Sequence, residues 1–244
     1  MRHNRRRTAL TMLGMAWGIA TVVMLLAYGD GFGQACAAIF ANFGTKLVIV
    51  VPGRTALQAG GQKAGSLVRF TLDDVDTLSA NLPQITAITP EVSKTAHIQY
   101  DTRVFDFEVT GNYPNVPSVR VLKLGQGRFY NAEDQVQHAR VAVIGSEAKD
   151  KLFSGRNALG EHIRVDGLSF EVVGVLSAKM QEGNSDINRA VYVPFTTMSD
   201  LKDNHYLDSI WFTYQTPEYE RLEQSVRSIL AGPHKFNQTD RQAV

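Results

Sequence analysis

The chain has 244 residues, of which 44% are hydrophobic and 20% charged, so it is long and apolar enough to bury one sizeable core or two modest ones. Its net charge of +1 hides an asymmetry: removing the four arginines of the first seven residues from the 25 basic residues leaves 21 against 24 acidic ones. A nucleic-acid binder needs a basic face to neutralise phosphates, so this composition argues against nucleic acid as a partner.

An uncharged segment of 22 residues, Thr8 to Gly29, follows those arginines. As a helix it would span about 33 Å, against about 30 Å for the hydrocarbon core of a bilayer. The flanking arginines are Arg2, Arg5, Arg6 and Arg7. Because cationic flanks stay on the cytoplasmic side, they predict a basic cytoplasmic arm at 1–7, a transmembrane helix at 8–30 and an extracytoplasmic location for the remainder.

Three other interpretations of this segment compete with a membrane helix. A cleaved signal peptide would have a shorter apolar region and a small-residue cleavage site. Lipoprotein processing would need a leucine three residues before Cys36, where the sequence has Gly33. A buried helix of a soluble protein seldom runs this long without a charge. The single cysteine also excludes an intrachain disulfide, so the domain after the helix must be held by its core.

Four glycines lie within about a 100° arc of one face of the predicted helix. They are Gly14, Gly18, Gly29 and Gly33. They form two small-xxx-small pairs, which would let another helix approach closely. The competing interpretation is that membrane helices simply tolerate glycine, and the sequence does not choose between the two.

Beyond Asp30 the apolar residues keep helical spacing as far as Gly44, a typical C-cap. The membrane helix is therefore predicted to continue outward as a stalk at 31–44. The alternative is a short separate helix lying on the domain.

The segment 45–232 is predicted as the main folded domain, with one or two subdomains, and 233–244 as a linker. Its first element, Leu47 to Val51, is a continuous apolar run ended by Pro-Gly, which is typical of a buried strand, and a mobile loop is expected at 53–66. Thr71 to Asp74 match a capping box that opens a helix through about Ala80. Asp73, Asp74 and Asp76 are then capping and solvating acids rather than a metal site.

The rest of the domain alternates strand and helix patterns. Two antiparallel strands are predicted between 85 and 111, then a strand at 140–144, a helix to 153, strands at 163–165 and 168–175, a strand at 190–193, a helix after Pro194, a strand at 210–214 and a helix at 218–230. Asp166-Gly167 is the strongest hairpin signal in the chain. The predicted fold class is an α+β domain of mixed or antiparallel sheet with packed helices, preceded by one long transmembrane and stalk helix.

No catalytic, metal or cofactor motif is readable in the sequence. The six histidines have no zinc-protease spacing, and no phosphate-binding loop with Gly-Lys-Ser/Thr is present. Gly125 to Gly127 lacks the third glycine of a dinucleotide fingerprint. Ser146 lacks the glycine frame of a nucleophile elbow and is interpreted as a helix N-cap. We therefore expect no enzyme activity and no cofactor on this chain.

Several segments of the chain are informative as a set. They are Arg6 to Gly14, Gly44 to Gly53, 127–129, 141–145 with 152–153, 159–163 with 170–175, and 191–195. Each is weak alone, but in order and spacing they cover nearly the whole chain. Together they resemble the MacB/FtsX-like permeases of ABC transporters, with Arg6 to Gly14 similar to that family's first membrane helix and Gly44 to Gly53 to its first strand.

The resemblance implies a permease subunit of a bacterial inner-membrane ABC transporter. Its expected partners are a cytoplasmic ABC ATPase subunit that binds the ATP, a second permease copy in a homo- or heterodimer, membrane lipid and a periplasmic adaptor protein. The family uses ATP-driven helix movement for efflux, lipoprotein release or activation of cell-wall hydrolases. It carries no catalytic residue over to this chain.

The sequence departs from the family pattern at both ends, because the amphipathic helix before the first span and the three later spans are absent. This predicts a fragment or a split or truncated reading frame. A second hypothesis is a single-pass membrane-anchored periplasmic binding or sensor domain, and a third is an anchored periplasmic enzyme. Partner contacts are expected in the loops 54–66 and 181–188, with solvated connectors as the alternative.

Overall fold

The computed structural model describes residues 5–43, 46–58, 63–179 and 187–244, and within the first range the side chains of 9–29 and 31–32. The chain divides into two units, Met1–Thr45 and Lys46–Val244. The first unit is a helix and the second is a folded domain.

One helix, α1, fills the first unit from Arg5–Phe43, a length of 39 residues. The predicted single long helix is confirmed, and it continues without a break through the segment predicted as a stalk. Alanine, leucine and methionine, which are strong helix formers, supply much of its sequence. The predicted C-cap, Gly44, lies outside the described residues.

The second unit is built on a nine-stranded mixed sheet. Its strands are β1 Leu47–Val50, β2 Ile85–Tyr100, β3 Arg103–Asn112, β4 Leu124–Gly127, β5 Val141–Ile144, β6 His162–Val165, β7 Leu168–Leu176, β8 Val191–Pro194 and β9 Ser209–Tyr214. The strand order is β1-β9-β2-β3-β8-β5-β7-β4, with β6 pairing both β2 and β7. Only the β3–β8 and β5–β7 pairs are parallel among these strands. The predicted fold class is confirmed.

Six helices pack on this sheet or connect its strands. They are α2 Leu72–Asn81, α3 Val116–Val119, α4 Ala132–Val136, α5 Ser146–Phe153, α6 Phe195–Met198 and α7 Tyr219–His234. The capping box of α2 is confirmed, because the Thr71 backbone N–H donates to Asp74 Oδ2 at 2.7 Å. The N-cap of α5 is Gly145, so the N-cap prediction for Ser146 is wrong by one residue.

The middle of the sheet is buried on both faces, since all four residues of β5 and all four of β8 are buried. Ile144 and Val191 belong to the larger core, whereas their chain neighbours Val143 and Tyr192 belong to a smaller one. Because successive residues of a strand point to opposite faces, the two cores lie on opposite sides of the sheet. Helices α2, α5 and α7 contribute buried residues to the larger core.

The hairpin between β6 and β7 is confirmed. Val165 pairs with Leu168, which leaves Asp166 and Gly167 as a two-residue loop. Their φ angles of 47° and 89° match a turn with two left-handed central residues. Such a turn follows the right-handed twist of the strands, which is why Asp-Gly was a reliable signal here.

Strand β1 differs from its prediction, because it is an edge strand rather than a buried one. It pairs only with β9 and ends the strand order. Ile49 is 46% exposed and Val51 just beyond the strand is 56% exposed. An unbroken apolar run is typical of strands covered on both sides, but no described residue pairs with the outer edge of this one.

The segment 233–244 also differs from its prediction as a linker. Helix α7 extends to His234, and Phe236 and Ala243 are buried in the larger core. Asp240 Oδ2 accepts hydrogen bonds from the backbone N–H groups of Ala56 and Leu57, at 2.7 and 2.9 Å. Burial alone would raise the pKa of Asp240, but these and neighbouring backbone hydrogen bonds outweigh it and lower the pKa. A polar sequence therefore folds onto the domain because one aspartate satisfies backbone donors.

Candidate functional site

Helix α1 is the first candidate functional element. Its segment Ala9–Gly29 has a mean hydropathy of 2.0 and is long and apolar enough, by length and composition, to cross a membrane. Large apolar side chains are exposed on it, with Leu10 at 73%, Trp17 at 77% and Leu25 at 72%. Because such surface is costly in water and favourable in lipid, α1 has the surface of a membrane span.

The predicted site residues of this helix lie as follows. Arg2 is outside the described residues, while Arg5 begins the helix and Arg6 and Arg7 continue it. At Gly14, Gly18 and Gly29 an added Cβ would meet nothing within 4 Å, and Gly33 follows on the same helix. The orientation role of the arginines and the packing role of the glycines stay predictions.

We expect the double substitution Gly14→Leu with Gly18→Leu to weaken self-association of the chain in detergent by about tenfold. A leucine on the glycine face would hold a neighbouring helix away from close backbone contact. Energy transfer between two differently labelled copies measures this. The matched control is Gly31→Leu, since Gly31 is equally open but lies outside the arc of the four glycines. Equal losses for both variants would contradict a specific glycine face.

An open sheet edge with an apolar groove is the second candidate. The groove lies between β1 and α7 and has a volume of about 120 Å³. Its apolar lining includes Val48, Val50, Phe212, Leu222 and Val226. The Tyr214 backbone N–H donates to the Lys46 carbonyl, so in the alternation of an antiparallel ladder the backbone groups of Leu47 and Ile49 face away from β9.

A buried ion pair is the third feature, and sequence analysis did not find it. Arg120 Nη1 donates to Glu91 Oε2 at 2.9 Å, and both residues are at most 9% exposed. The guanidinium also lies 4.2 Å from the ring centroid of Trp211. Ser209 and Asn112 donate to the same carboxylate at 3.3 and 3.2 Å. The ion pair and its hydrogen bonds therefore connect strands β2, β3 and β9 to Arg120, which follows α3.

Two buried phenols lie near this ion pair. Burial raises the pKa of Tyr192 to about 12 and raises the pKa of Tyr130 well above its ordinary value, and nearby Glu91 adds to both effects. Neither phenol oxygen has a hydrogen-bond partner among the described residues. Both stay protonated at neutral pH, so neither can serve there as a general base.

The two loops predicted to contact partners are held to the domain where they are described. Thr55 is 5% exposed, and Arg54 forms an isolated antiparallel bridge with Leu67. Asn188 binds the backbone of Lys179 through both its amide atoms, at 2.9 and 2.8 Å. Residues 59–62 and 181–186, the centres of these loops, lie outside the described residues. The recognition role of both loops stays a prediction.

Three described histidines each pair with a single carboxylate. His138 and His234 bind Asp200 and Asp74, with N–O distances of 3.1 and 2.8 Å. Over the described ranges no group of three His, Cys, Asp or Glu side chains is placed to hold a metal ion. Ser146 Oγ donates to the Asn188 amide oxygen at 3.3 Å. An amide oxygen is not a general base, so this contact does not activate the hydroxyl. These contacts are structural ties within the domain.

The architecture and the apolar helix together match one protein family. Residues 8–229 match the MacB-like periplasmic core domain. The chain belongs to that family. The MacB/FtsX-like resemblance predicted from the sequence is thereby confirmed.

Relatives of this MacB-like chain are named as export proteins. It is 31% identical over 234 residues to the macrolide export ATP-binding/permease protein MacB of Bdellovibrio bacteriovorus, covering 95% of this chain and 36% of the relative. It is 33% identical over 198 residues to the pyoverdine export ATP-binding/permease protein PvdT of Pseudomonas entomophila, covering 80% and 29%. The chain thus spans about a third of the length of these relatives.

A solved structure shares the fold. The periplasmic region of MacB from Actinobacillus actinomycetemcomitans superposes with a TM-score of 0.67 at 23% identity, covering 82% of this chain and 89% of that one. The MacB-like chain therefore combines a periplasmic core domain fold with a helix able to cross a membrane. Its relatives are named as export ATP-binding/permease proteins.

Proposed function

We propose that this chain is the permease part that carries the first membrane span and the periplasmic domain of an ABC transporter. The observation that carries the proposal is a MacB-like core domain in the same chain as an apolar helix of membrane-spanning length. The helix spans the inner membrane with its N-terminus in the cytoplasm, and the domain lies in the periplasm. The membrane itself is then its first partner, through the exposed apolar side chains of α1.

In this proposal α1 transmits motion rather than performing chemistry. ATP is bound and hydrolysed on a separate cytoplasmic ABC ATPase subunit, so this chain has no cofactor or catalytic site of its own. The names of the relatives join ATP-binding and permease in one protein, which supports the pairing of the two activities. A helix of 39 residues is about 58 Å long, so it extends well beyond a 30 Å hydrocarbon core.

The periplasmic domain would turn that motion into efflux, lipoprotein release or activation of a partner. A second permease copy would pack on the glycine face, and a periplasmic adaptor would contact the domain. The close-packed middle of the sheet, where β5 and β8 are buried on both faces, suits such coupling. Purification of the tagged chain from native membranes, followed by identification of an ATPase and an adaptor, tests the assembly.

We expect a phosphatase that is active only outside the cytoplasm to be active when fused behind Val244, while a fluorescent protein that folds only in the cytoplasm stays dark there. The four arginines before the apolar segment fix this orientation. Substituting Arg2, Arg5, Arg6 and Arg7 by glutamate should remove most of the phosphatase activity. The matched control is the same four positions changed to lysine, which keeps the charge. A fluorescent fusion that lights up, together with an inactive phosphatase fusion, would overturn both the topology and the transport role.

A further inference from the structure

The turn that follows α3 holds a valine in a left-handed backbone conformation. Val121 has a φ angle of 51°, and of the described non-glycine residues with positive φ it is the only one branched at Cβ. A branched side chain is a rare outlier at such an angle, because its Cβ crowds the neighbouring backbone. We name residues 120–122 the Val121 turn.

The end of α3 explains why the chain needs this conformation. Arg120 is the C-cap of the helix, and the Leu122 N–H donates to the Pro117 carbonyl at 2.9 Å, which is the long bond of a Schellman motif. Glycine is the usual residue directly after the C-cap of this motif, because it has no Cβ to clash. Val121 stands there instead. The turn is therefore strained, and contacts from outside it must hold it closed.

One of these contacts comes from Lys179, three residues after the end of β7. Its Nζ donates to the carbonyls of Arg120 and Val121, at 3.1 and 3.3 Å. Carbonyls at a helix end have no partner within the helix, so the ammonium supplies donors that the turn needs. The position is unfavourable for the ammonium itself. Burial lowers the pKa of Lys179, and the nearby cations Arg120 and Lys123 lower it further.

Lys179 is in turn fixed by Asn188. The Asn188 side-chain amide accepts from the Lys179 N–H and donates to the Lys179 carbonyl, at 2.9 and 2.8 Å. The backbone carbonyl of Asn188 accepts from the N–H groups of Glu147 and Ala148 in the first turn of α5, at 2.9 and 3.1 Å. The ammonium of Lys179 therefore connects the start of α5 to the end of α3.

The Val121 turn also sets the position of Arg120, whose guanidinium binds the buried Glu91 and lies over Trp211. If Val121 returned to negative φ, the bond from Leu122 to α3 would break and the Arg120 backbone would move. The buried ion pair stabilises the closed turn by more than the strain opposes it, so the closed form predominates.

We propose that the Val121 turn is a strained conformational switch that Lys179 holds closed. When the ammonium leaves the two carbonyls, Val121 relaxes to negative φ and Arg120 withdraws from Glu91. A displacement at Lys179 thereby reaches the ion pair that connects strands β2, β3 and β9. The switch goes beyond the proposed transport role and does not depend on it.

Modification of Arg120 by phenylglyoxal measures the open form, because the arginine is buried while the turn is closed. The full chain is labelled in detergent micelles, and mass spectrometry gives the rate at this residue. Lys179→Met should raise the rate about tenfold, since two hydrogen bonds from a charged group are lost. The matched control, Lys123→Met, makes the same charge change nearby and should leave the rate within about twofold.

Val121→Gly should slow the modification of Arg120 severalfold in the otherwise unchanged chain, because glycine accepts a φ angle of 51° without a clash. Combined with Lys179→Met, it should return the rate close to that of the unchanged protein. Val121→Asn also tolerates this conformation and replaces the glycine variant if that one does not fold. Val136→Gly, at a valine inside α4, is the control and should have no such effect.

Hydrogen exchange separates local opening of the turn from global unfolding. The amides of Arg120 and Leu122 should exchange at least about tenfold faster than those of Val143 and Ile144 in β5. If Lys179→Met does not fold, this comparison and the Val121 variants still decide. Equal exchange at the turn and in β5, equal effects of Lys179→Met and Lys123→Met, or no slowing by the Val121 variants would each overturn the proposal.

Discussion

Replacing Arg120 by methionine is expected to lower the free energy of unfolding of the domain by about 3–5 kcal/mol. The substitution removes the buried partner of Glu91 and leaves a carboxylate that is 9% exposed without its cation. It also removes the guanidinium that lies over Trp211. Urea unfolding followed by the fluorescence of Trp211 measures the loss, in a Trp17→Phe background so that one tryptophan reports.

The double variant Glu91→Gln with Arg120→Met provides the control. A glutamine can still accept from Asn112 through its oxygen and donate to the Ser209 hydroxyl through its amide N–H, and it carries no unpaired charge. The double variant should therefore regain part of the lost stability. A larger loss in the double variant than in Arg120→Met alone, or a loss below 1 kcal/mol in the single variant, would show that the ion pair does not hold these strands.

Changing Gly53 to alanine is expected to cost about 3 kcal/mol and to release the last residues of the chain from the domain. An added Cβ would lie 2.0 Å from the carbonyl oxygen of Gln242, so one backbone segment must move. The Gly53 N–H donates to the Ala243 carbonyl at 3.0 Å, and this bond would be strained or lost. Trypsin should then cut more rapidly after Arg241, which is exposed.

The matched control is Gly232→Ala. Gly232 lies in α7, and a Cβ there would meet nothing within 4 Å. Since alanine is favoured over glycine in a helix, this variant should gain about 0.5–1 kcal/mol. The same glycine-to-alanine change would thus destabilise the domain at Gly53 and stabilise it at Gly232. If Gly53→Ala were cut at the same rate as the unchanged protein, the docking of 236–244 would not depend on this close approach.

The sequence predicted those elements whose signals are local. The turn at Asp166-Gly167 and the capping box at Thr71 specify their own backbone conformations, so tertiary context did not change them. Helix α1 was equally clear, because a run of apolar residues without charge has few alternatives. The family resemblance added the expected transporter role, which local patterns do not contain.

Features that depend on distant partners were missed. Strand β4 and helices α3 and α4 are short, and the four residues of β4 contain two glycines that indicate a turn more than a strand. The pairing of Glu91 with Arg120 joins residues far apart in the chain, which no spacing rule reveals. The edge position of β1 was missed because the same apolar run fits a covered strand and an open edge.

The hydrogen bond between Gly53 and Ala243 brings backbone from the beginning and the end of the second unit side by side. Val244 also lines the same groove as Val48. If a polypeptide carried these roughly 200 residues between two other segments, the chain would enter and leave the domain at nearly the same point. The folding free energy of the domain would then offset the entropic cost of closing that long loop. Such a module can be accommodated within a host chain without forcing its flanking segments apart.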